Sequence, residues 1–206
     1  MTSQFPDSDR ASVRERILEV ALRHFAEHGG RASLRRIASD ADTSLGALQH
    51  YFPTKANLAK AVEEYATRPF YERQGPTFEI VDMDFPAFLR TGLLTYLSFT
   101  REHPDVVALG TRLATERPDH QWPGEAETNA ELIRRIRVAQ DGATLKDFDP
   151  RWFVVLLEAL LNSWSSHRDH LMRHLPEVAD EDADEQFVRF AADLVLNGAR
   201  PRDPEP

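Results

Sequence analysis

Two short helical patterns separated by a tight polar turn lie within residues 33–55, and this stretch constrains the fold more than any other. In the first pattern, Leu34, Ile37 and Ala38 fall at positions i, i+3 and i+4, so one helix face is apolar. The spacing predicts a helix over residues 34–41, with a serine directly before it as the N-cap. Two such helices joined by a short turn form a helix-turn-helix.

The second helix of this motif follows the turn at residues 42–43. Either Thr43 or Ser44 can act as its N-cap, because both carry a hydroxyl acceptor. Leu45 and Leu48 then offer apolar groups to the core. The two small residues between these leucines remove side-chain bulk, so the backbone can approach another molecule closely.

The second helix should end at Phe52, because the residue before a proline is pushed out of the α region. Thr54 can cap a third helix that carries Lys55 in its first turn. A cation there opposes the helix macrodipole by up to roughly 1 kcal/mol, and a bound phosphate would remove that conflict. The alternative is a solvated lysine that tolerates the small penalty.

Four sequence blocks within residues 12–65 resemble the tetracycline-repressor (TetR) family of bacterial regulators: FAEHGG, SLRRIASDA, TSLGALQHYF and PTKANLAKAV. Two positions depart from the family pattern, with Asp42 where glycine is usual and Gln49 where tyrosine is usual. The resemblance implies an all-α fold with an N-terminal helix-turn-helix DNA-binding head and a C-terminal helical bundle for ligand binding and dimerisation. It further implies a homodimer that binds an operator in double-stranded DNA and responds to a small-molecule inducer, without a cofactor and without enzymatic activity.

The candidate DNA contacts lie on the two helices of the motif and at the start of the third. Gln49 can bond adenine through two hydrogen bonds, and Leu45 or Ala47 can touch a thymine methyl group. Arg35 and Arg36 are adjacent and cannot face the same way on a helix. The full set is Ser33, Arg35, Arg36, Ser44, Leu45, Gly46, Ala47, Gln49, His50, Tyr51 and Lys55.

We expect the chain to divide into a tail at residues 1–11, a helix-turn-helix domain at 12–53, a connecting helix at 54–75, a ligand-binding and dimerisation domain at 76–199, and a tail at 200–206. The first helix should start at the S-x-x-E capping box that begins with Ser12 and stop at a glycine pair. The apolar stripe of this helix comprises Val13, Ile17, Val20, Ala21 and Phe25.

Proline and glycine set the predicted limits of the connecting helix. Pro69 should kink or end it, because a proline inside a helix removes a hydrogen bond. Together with Gly75 and Pro76, it predicts a hinge at the far end of the helix.

Charge is distributed unevenly along the 206 residues, whose formal net charge is −9. Residues 1–68 hold ten Lys and Arg against nine Asp and Glu, whereas residues 69–206 hold 15 against 25. An acidic second part would be repelled by DNA and would orient the nearly neutral head towards it.

The chain has no cysteine, which excludes a disulfide framework and thiolate chemistry. No apolar run is long enough for a membrane span, and no signal peptide is evident, so we expect a cytoplasmic protein.

The stretch Trp152–Leu161 is apolar on all sides except at Glu158, which is typical of a helix that is buried all round. One side can meet the core of its own subunit, and the other needs a second partner. The last helix, Phe187–Val195, has a matching apolar stripe. These two helices from each of two subunits predict a four-helix dimer interface, as the TetR resemblance also implies. The alternative is a helix that is fully buried in a monomer.

The ligand pocket is expected among aromatic residues of the second part, with a few polar groups beside them. The candidate lining residues are Phe88, Tyr96, Phe99, His103, Arg112, Trp122, Trp152, Asn162 and His167, with Phe153 and Trp164 as further aromatics. Each aromatic can also serve as ordinary core. The alternative function is a helical-bundle metal-binding protein or a metal-dependent enzyme that uses His167, His170 and His174, since spacings of three and four put them on one helix face and three imidazoles suit zinc.

Overall fold

In the computed structural model, residues 7–80 and 83–199 are described, and over these ranges the chain forms nine α-helices and no strand. The all-α prediction is confirmed. Two short 3-10 turns, Gly29–Arg31 and Asp180–Asp182, complete the regular structure. The helices are α1 (Asp7–His28), α2 (Leu34–Asp40), α3 (Leu45–Tyr51), α4 (Lys55–Glu79), α5 (Phe85–Glu102), α6 (Pro104–Glu116), α7 (Glu125–Asp141), α8 (Pro150–Met172) and α9 (Ala183–Ala199).

The chain divides into two compact units. The head unit comprises Met1–Arg68 and His103–Pro123, and the body unit comprises Pro69–Glu102 and Gly124–Pro206. The head unit therefore includes α6, whose sequence lies far from the helix-turn-helix. The predicted domain boundaries stay a prediction.

The start of α1 differs from the prediction. The helix begins at Asp7 rather than Ser12, so the capping box lies inside the helix and does not cap it. Of the predicted tails, residues 1–6 and 200–206 lie outside the described residues.

The course of α4 also corrects the sequence interpretation. The helix continues through Pro69 and Pro76 to Glu79, so Pro69 does not end it and no helix end lies at Gly75. A proline removes one hydrogen bond from a helix, but packing of the surrounding turns can override that loss. The helix turns before and after Pro69 are packed against other residues, since Ala66 and Gln74 are each only 4% exposed.

The core of the head unit is built from the predicted apolar stripes. Ile17, Ile37, Leu48 and Leu58 are completely buried. The remaining core residues include Val20, Ala21, Phe25, Phe52 and Val62, which confirms Phe25 and Phe52 as core residues. Helix α6 packs against α1 and contributes Val106, Leu109 and Leu113 to the same core. The short helix α2 packs against α1 and α3, while Arg35, Arg36, Gly46, Gln49 and His50 on the two short helices are exposed.

The core of the body unit lies among α5, α7, α8 and α9. Helix α5 packs against α9 and α8, and α7 packs against α8. On α5, Phe85, Phe88, Leu89, Leu93 and Leu97 are all buried in this core. Other members are Ile136, Phe153, Leu157, Trp164, Val188, Ala192 and Leu196.

Helix α8 is not buried on every side within the single chain. Phe153 and Leu157 face the core, whereas Trp152 is 73% exposed and Val155 is 52% exposed. The predicted stripe on α9 shows the same division, with Phe190 70% exposed. The alternative of a helix fully buried in a monomer is therefore wrong, because no part of the described residues covers the outer face, and the dimer interface stays a prediction.

The acidic segment between α8 and α9 is an ordered turn rather than a loose loop. Arg101 and Arg168 both bind the carboxylate of Asp180. Asp184 accepts from the indole N–H of Trp164 at 2.8 Å and from Nε of Arg168 at 3.0 Å. The Arg168 guanidinium holds the pKa of the Asp180 carboxyl below its usual range.

Among the described residues, none of the helices has the length and apolar character needed to cross a membrane.

Candidate functional site

The turn between α2 and α3 has the geometry that the sequence predicts. Asp42 has a φ of +48°, so it adopts the left-handed conformation in place of the glycine that is usual in the family. Ser44 is the N-cap of α3, and its hydroxyl accepts a hydrogen bond from the backbone N–H of Ala47 at 3.1 Å. Ser33 stands at the N-cap of α2, although its side chain makes no capping hydrogen bond to the described backbone. The left-handed conformation of Asp42 and the cap formed by Ser44 therefore determine how α3 follows α2.

Two contacts from α1 hold the C-terminal end of α2. Nε of Arg16 donates to the carbonyl of Ala41 at 2.8 Å, which satisfies an orphan carbonyl of the helix end. Nε2 of His24 lies 2.7 Å from Oδ2 of Asp40. Together with the completely buried side chain of Leu48 on α3, these contacts fix the motif to its scaffold.

One face of α3 is open. Gly46, Gln49 and His50 are exposed, and their spacing of three and four places them on the same side of the helix. A side chain added at Gly46 would approach only the hydroxyl of Ser44, at 3.9 Å. Backbone and side chains of α3 are therefore accessible to a macromolecule.

The other predicted DNA contacts lie around this face with varied exposure. Arg35 and Arg36 on α2 are exposed, as is Ser44 at the start of α3. The half-buried members of the set are Ser33, Leu45, Ala47, Tyr51 and Lys55.

Lys55 makes contacts that sequence reasoning missed. Its Nζ donates to the carbonyl of Gly30 at 2.7 Å and to that of Ala32 at 2.5 Å. The lysine thus joins the first turn of α4 to the connection between α1 and α2, and the two carbonyls offset its conflict with the macrodipole. Thr54 caps the same turn by accepting from the N–H of Asn57 at 3.1 Å.

Arg112 on α6 secures the end of α1. Its Nε donates to the carbonyl of Ala26 at 3.0 Å, and its Nη2 donates to that of Glu27 at 2.9 Å. Nη1 also pairs with Glu116 at 3.2 Å. The guanidinium group of Arg112 is thus bound to three partners within the head unit. A role of Arg112 in a ligand pocket stays a prediction. The sequence carries no signal for this contact, because Ala26 and Glu27 lie 86 and 85 residues before Arg112 in the chain.

The predicted pocket residues fall in two different units. His103, Arg112 and Trp122 belong to the head unit, where Trp122 lies against Gly110. The members in the body unit are Phe88, Tyr96, Phe99, Trp152, Asn162 and His167.

Two of the body-unit residues come together directly. Oη of Tyr96 donates to Oδ1 of Asn162 at 2.9 Å, and burial raises the pKa of Tyr96 to about 12. The ring of Phe70 on α4 lies 6.0 Å from that of Tyr96 and 5.5 Å from that of Phe99. Trp152 is instead on the exposed face of α8. The structure thus brings together Tyr96, Phe99 and Asn162, but not Trp152.

The geometry argues against the predicted metal site. Helix α8 is interrupted at His167, where φ is −128°, and it ends at Met172, so the three histidines do not share one regular helix face. The guanidinium of Arg173 lies 2.9 Å from Nδ1 and 3.0 Å from Nε2 of His170. In the described ranges, no group of three or more His, Cys, Asp or Glu side chains could hold a metal ion. The helical spacing of the sequence was misleading, because the helix does not remain regular over His167, His170 and His174.

Comparison with known proteins identifies the helix-turn-helix region. Residues 17–62 match the family model of bacterial regulatory proteins of the tetR family. Among curated proteins, none matches the chain closely enough to count as a relative.

The whole chain is similar to several solved structures. SCO4942 from Streptomyces coelicolor has 24% identity and a TM-score of 0.70, with 88% of this chain and 97% of that chain covered. A TetR family transcription regulator from Marinobacter aquaeolei has 19% identity and a TM-score of 0.71, with 96% and 100% covered. SmeT, the repressor of the Stenotrophomonas maltophilia multidrug efflux pump SmeDEF, has 20% identity and a TM-score of 0.63, with 94% and 97% covered. Residues 17–62 are thus similar to the helix-turn-helix region of the tetR family, and the chain as a whole shares the fold of these solved structures.

Proposed function

We propose that the protein is a dimeric repressor that binds a near-palindromic operator and releases it when a small molecule binds the body unit. The observation that carries the proposal is the open face of α3. Gly46, Gln49 and His50 are exposed on a helix whose inner side is fixed by the buried Leu48. A rigid helix with an accessible, bulk-free N-terminal half suits the major groove of DNA.

The proposed contacts divide into base readout and phosphate positioning. Gln49 is the candidate for two hydrogen bonds to adenine, and Leu45 and Ala47 are the candidates for contact with a thymine methyl group. The remaining candidates position the head on the phosphate backbone: Ser33, Arg35, Arg36, Ser44, Gly46, His50, Tyr51 and Lys55.

Dimerisation supplies the second half of the operator contact. Trp152, Val155 and Leu156 on α8, with Phe190 and Leu194 on α9, form an exposed apolar face of five large side chains. Burying such a face is worth roughly 25 cal/mol per Å² of apolar area. Two copies related by a two-fold axis would cover it in a four-helix arrangement and present two α3 helices to successive major grooves.

Release by a ligand completes the proposed mechanism. Two reading helices must be about 34–36 Å apart, or somewhat more, to enter successive grooves. A ligand that binds a conformation with a different separation shifts the population away from DNA by its differential affinity. SmeT, which shares the fold, is the repressor of an efflux pump, and we propose the same mode of action here.

The proposal is tested by selecting DNA from a random pool with the purified protein. We expect near-palindromic sequences to be enriched, and light scattering at micromolar concentration to give twice the chain mass. Gln49→Ala should weaken binding to the selected DNA through one base-pair position in each half-site. Enrichment of sequences without two-fold symmetry by a monomeric protein would refute the dimeric mechanism.

A further inference from the structure

A glutamine inside the body unit carries an acceptor that nothing in the fold uses. Gln74 lies on α4 and is only 4% exposed. Its Oε1 has no hydrogen-bond partner anywhere in the part of the chain that the structure describes. A buried acceptor without a partner is destabilising and rare in native proteins, so its presence points to a partner that binds from outside.

The surroundings of this amide along α4 are aromatic. Phe70 and Phe78 lie four residues before and after Gln74, hence on the same helix face. The ring of Phe70 is 6.0 Å from that of Tyr96, and the ring of Phe78 is 5.9 Å from that of Phe88. The amide therefore lies between two aromatic contacts that α4 makes with α5.

A glycine on α5 makes room for the amide. Gly92 lies four residues from both Phe88 and Tyr96. A Cβ at this position would be 3.4 Å from Nε2 of Gln74, so a larger residue would press on the amide group. The NH2 side of the glutamine thus faces Gly92, and the unused oxygen lies on the other branch of the amide.

The polar side chains near these aromatic contacts are already paired, including Arg135, whose guanidinium carbon lies 4.2 Å from the centroid of the Phe88 ring and whose charge is compensated by Glu131 at 2.7 Å. Tyr96 donates to Asn162 at 2.9 Å, and the hydroxyl of Thr100 lies 3.0 Å from that of Ser165. The high pKa of Tyr96, about 12 because of burial, keeps its hydroxyl protonated. A charged ligand would need a compensating charge when it loses its water, whereas an uncharged donor needs only an acceptor.

The structure assigns Gln74 as the polar anchor of the ligand site, and we propose that the ligand is an uncharged aromatic molecule that donates an N–H or O–H hydrogen bond to its Oε1. This inference rests on the proposed function, in which a small molecule binds the body unit. Aromatic surface around a single placed acceptor is a usual composition for such a site.

The test uses two probes, indole and 1-methylindole, which differ in one hydrogen-bond donor. Calorimetry should show that the wild-type protein binds indole at least about 10-fold more tightly, since losing a hydrogen bond to a buried acceptor is worth a factor of this order. The added methyl group alone would strengthen the binding of 1-methylindole, because it adds apolar area that is buried on binding. In Gln74→Met, which preserves volume but lacks the acceptor, the ratio should fall to about 1 or below.

A second glutamine in the body unit provides the matched control. Nε2 of Gln140 donates to the carbonyls of Lys146 at 3.1 Å and Phe148 at 2.9 Å. Gln140→Met should therefore keep the preference for indole and lower the melting temperature. Gln74→Met should instead raise the melting temperature of the free protein by about 2–4 °C, because it removes an unmet polar group.

Three results would each overturn the inference: no saturable indole binding up to millimolar concentration, an unchanged probe ratio in Gln74→Met, or a lower melting temperature for that variant. Binding of the selected DNA is measured separately without probe. A protein that binds this DNA but fails the probe test refutes only the role of Gln74. A protein that passes the probe test but selects no DNA refutes the proposed function.

Discussion

Lys55 donates hydrogen bonds to two carbonyls and has one N–H hydrogen left, which is available to a phosphate. Its stem is half-buried at the start of α4, where backbone N–H groups also favour an anion. The Lys55 side chain can thus stabilise the connection between α1 and α2 through the carbonyls of Gly30 and Ala32, and it can also bind a phosphate of the DNA backbone.

Replacing this lysine should change stability and DNA binding together. We expect Lys55→Ala to lower the free energy of unfolding by about 1–3 kcal/mol, because two carbonyls lose their donor. It should also weaken binding to all DNA sequences alike and reduce the slope of log affinity against log salt by about one. Urea unfolding and binding titrations at several salt concentrations measure both effects.

Lys60→Ala is the matched control, since Lys60 is exposed on the same helix and pairs only loosely with Glu64 at 3.9 Å. It should leave stability nearly unchanged. If Lys55→Ala weakens binding to one operator sequence but not to others, the lysine reads bases and our assignment is wrong.

The two serines that precede α2 and α3 offer a second comparison at this scale. Ser44 caps α3 through the N–H of Ala47, whereas the side chain of Ser33 makes no such bond among the described residues. Ser44→Ala should destabilise the protein by about 1 kcal/mol, and Ser33→Ala by much less. Equal midpoints for the two variants in urea unfolding would show that the cap contributes nothing.

Residues whose role depends on near neighbours could be predicted from the sequence. Ser44 as a cap, Asp42 in a left-handed turn and Phe52 at the end of α3 all follow from three or four consecutive residues. The contacts of Lys55 and Arg112 could not be predicted, because their carbonyl acceptors lie 23 to 86 residues away and any backbone carbonyl can accept.

At the scale of elements, α6 is fixed to the end of α1 at a glycine. Gly29 has a φ of +55°, and a Cβ there would lie 2.5 Å from Oε1 of Glu116 and 2.7 Å from Cδ of Arg112. Arg117 adds an ion pair to Glu63 on α4 at 2.7 Å. These contacts make α6 part of the DNA-reading unit, although the chain reaches it only after α5.

The neighbouring glycine allows a matched test of this junction. Gly29→Ala should lower stability by at least about 1–2 kcal/mol, because an L-residue resists this φ and the new methyl group displaces the Glu116 and Arg112 side chains. Gly30→Ala should be nearly neutral, since a Cβ there meets nothing within 4 Å among the described atoms. Thermal unfolding of both variants decides the matter, and an equal loss in both would contradict this account of the junction.

Helix α7 carries a carboxylate whose titration should be visible in stability. Hydrogen bonds from Arg134, then from Arg135, lower the pKa of Glu131 to about 2. A lowered pKa in the folded state means that the ionised carboxylate stabilises the fold above pH 4.5, and that this contribution is lost as the pH falls towards 2. Glu131→Gln should therefore lose less stability than the wild type between pH 5 and about 2.5.

Urea titrations across that range, with Glu127→Gln as an exposed control on the same helix, measure this difference. Parallel pH profiles for Glu131→Gln and the wild type would show that the two arginines do not hold the carboxylate in solution.

The helix boundaries show where sequence rules were overridden. The pattern correctly limits α2 and α3, which begin after Ser33 and Ser44, and α3 ends where Phe52 precedes a proline. It fails at Pro69, because the rule that proline ends a helix is local, whereas burial of the turns on both sides depends on tertiary packing.

At the scale of the whole molecule, charge and exposed apolar side chains are distributed unevenly along the chain. Residues 1–68 have a formal net charge of +1, whereas residues 69–206 have a formal net charge of −10. The apolar face that begins at Trp152 is too exposed for an isolated subunit, and the proposed dimer would cover it. The sequence predicted this face from its unbroken apolar run. It could not predict the unused acceptor of Gln74, which emerges only when α4 and α5 are packed together.

The most direct test is a hydroxyl-radical footprint of the purified protein on its selected DNA, at low and at physiological salt. We predict two equivalent protected patches about one helical turn apart, placed symmetrically about the centre of the sequence and lost on addition of saturating ligand. A single asymmetric patch, or protection that does not depend on Gln49, would contradict the account of two α3 helices reading successive grooves.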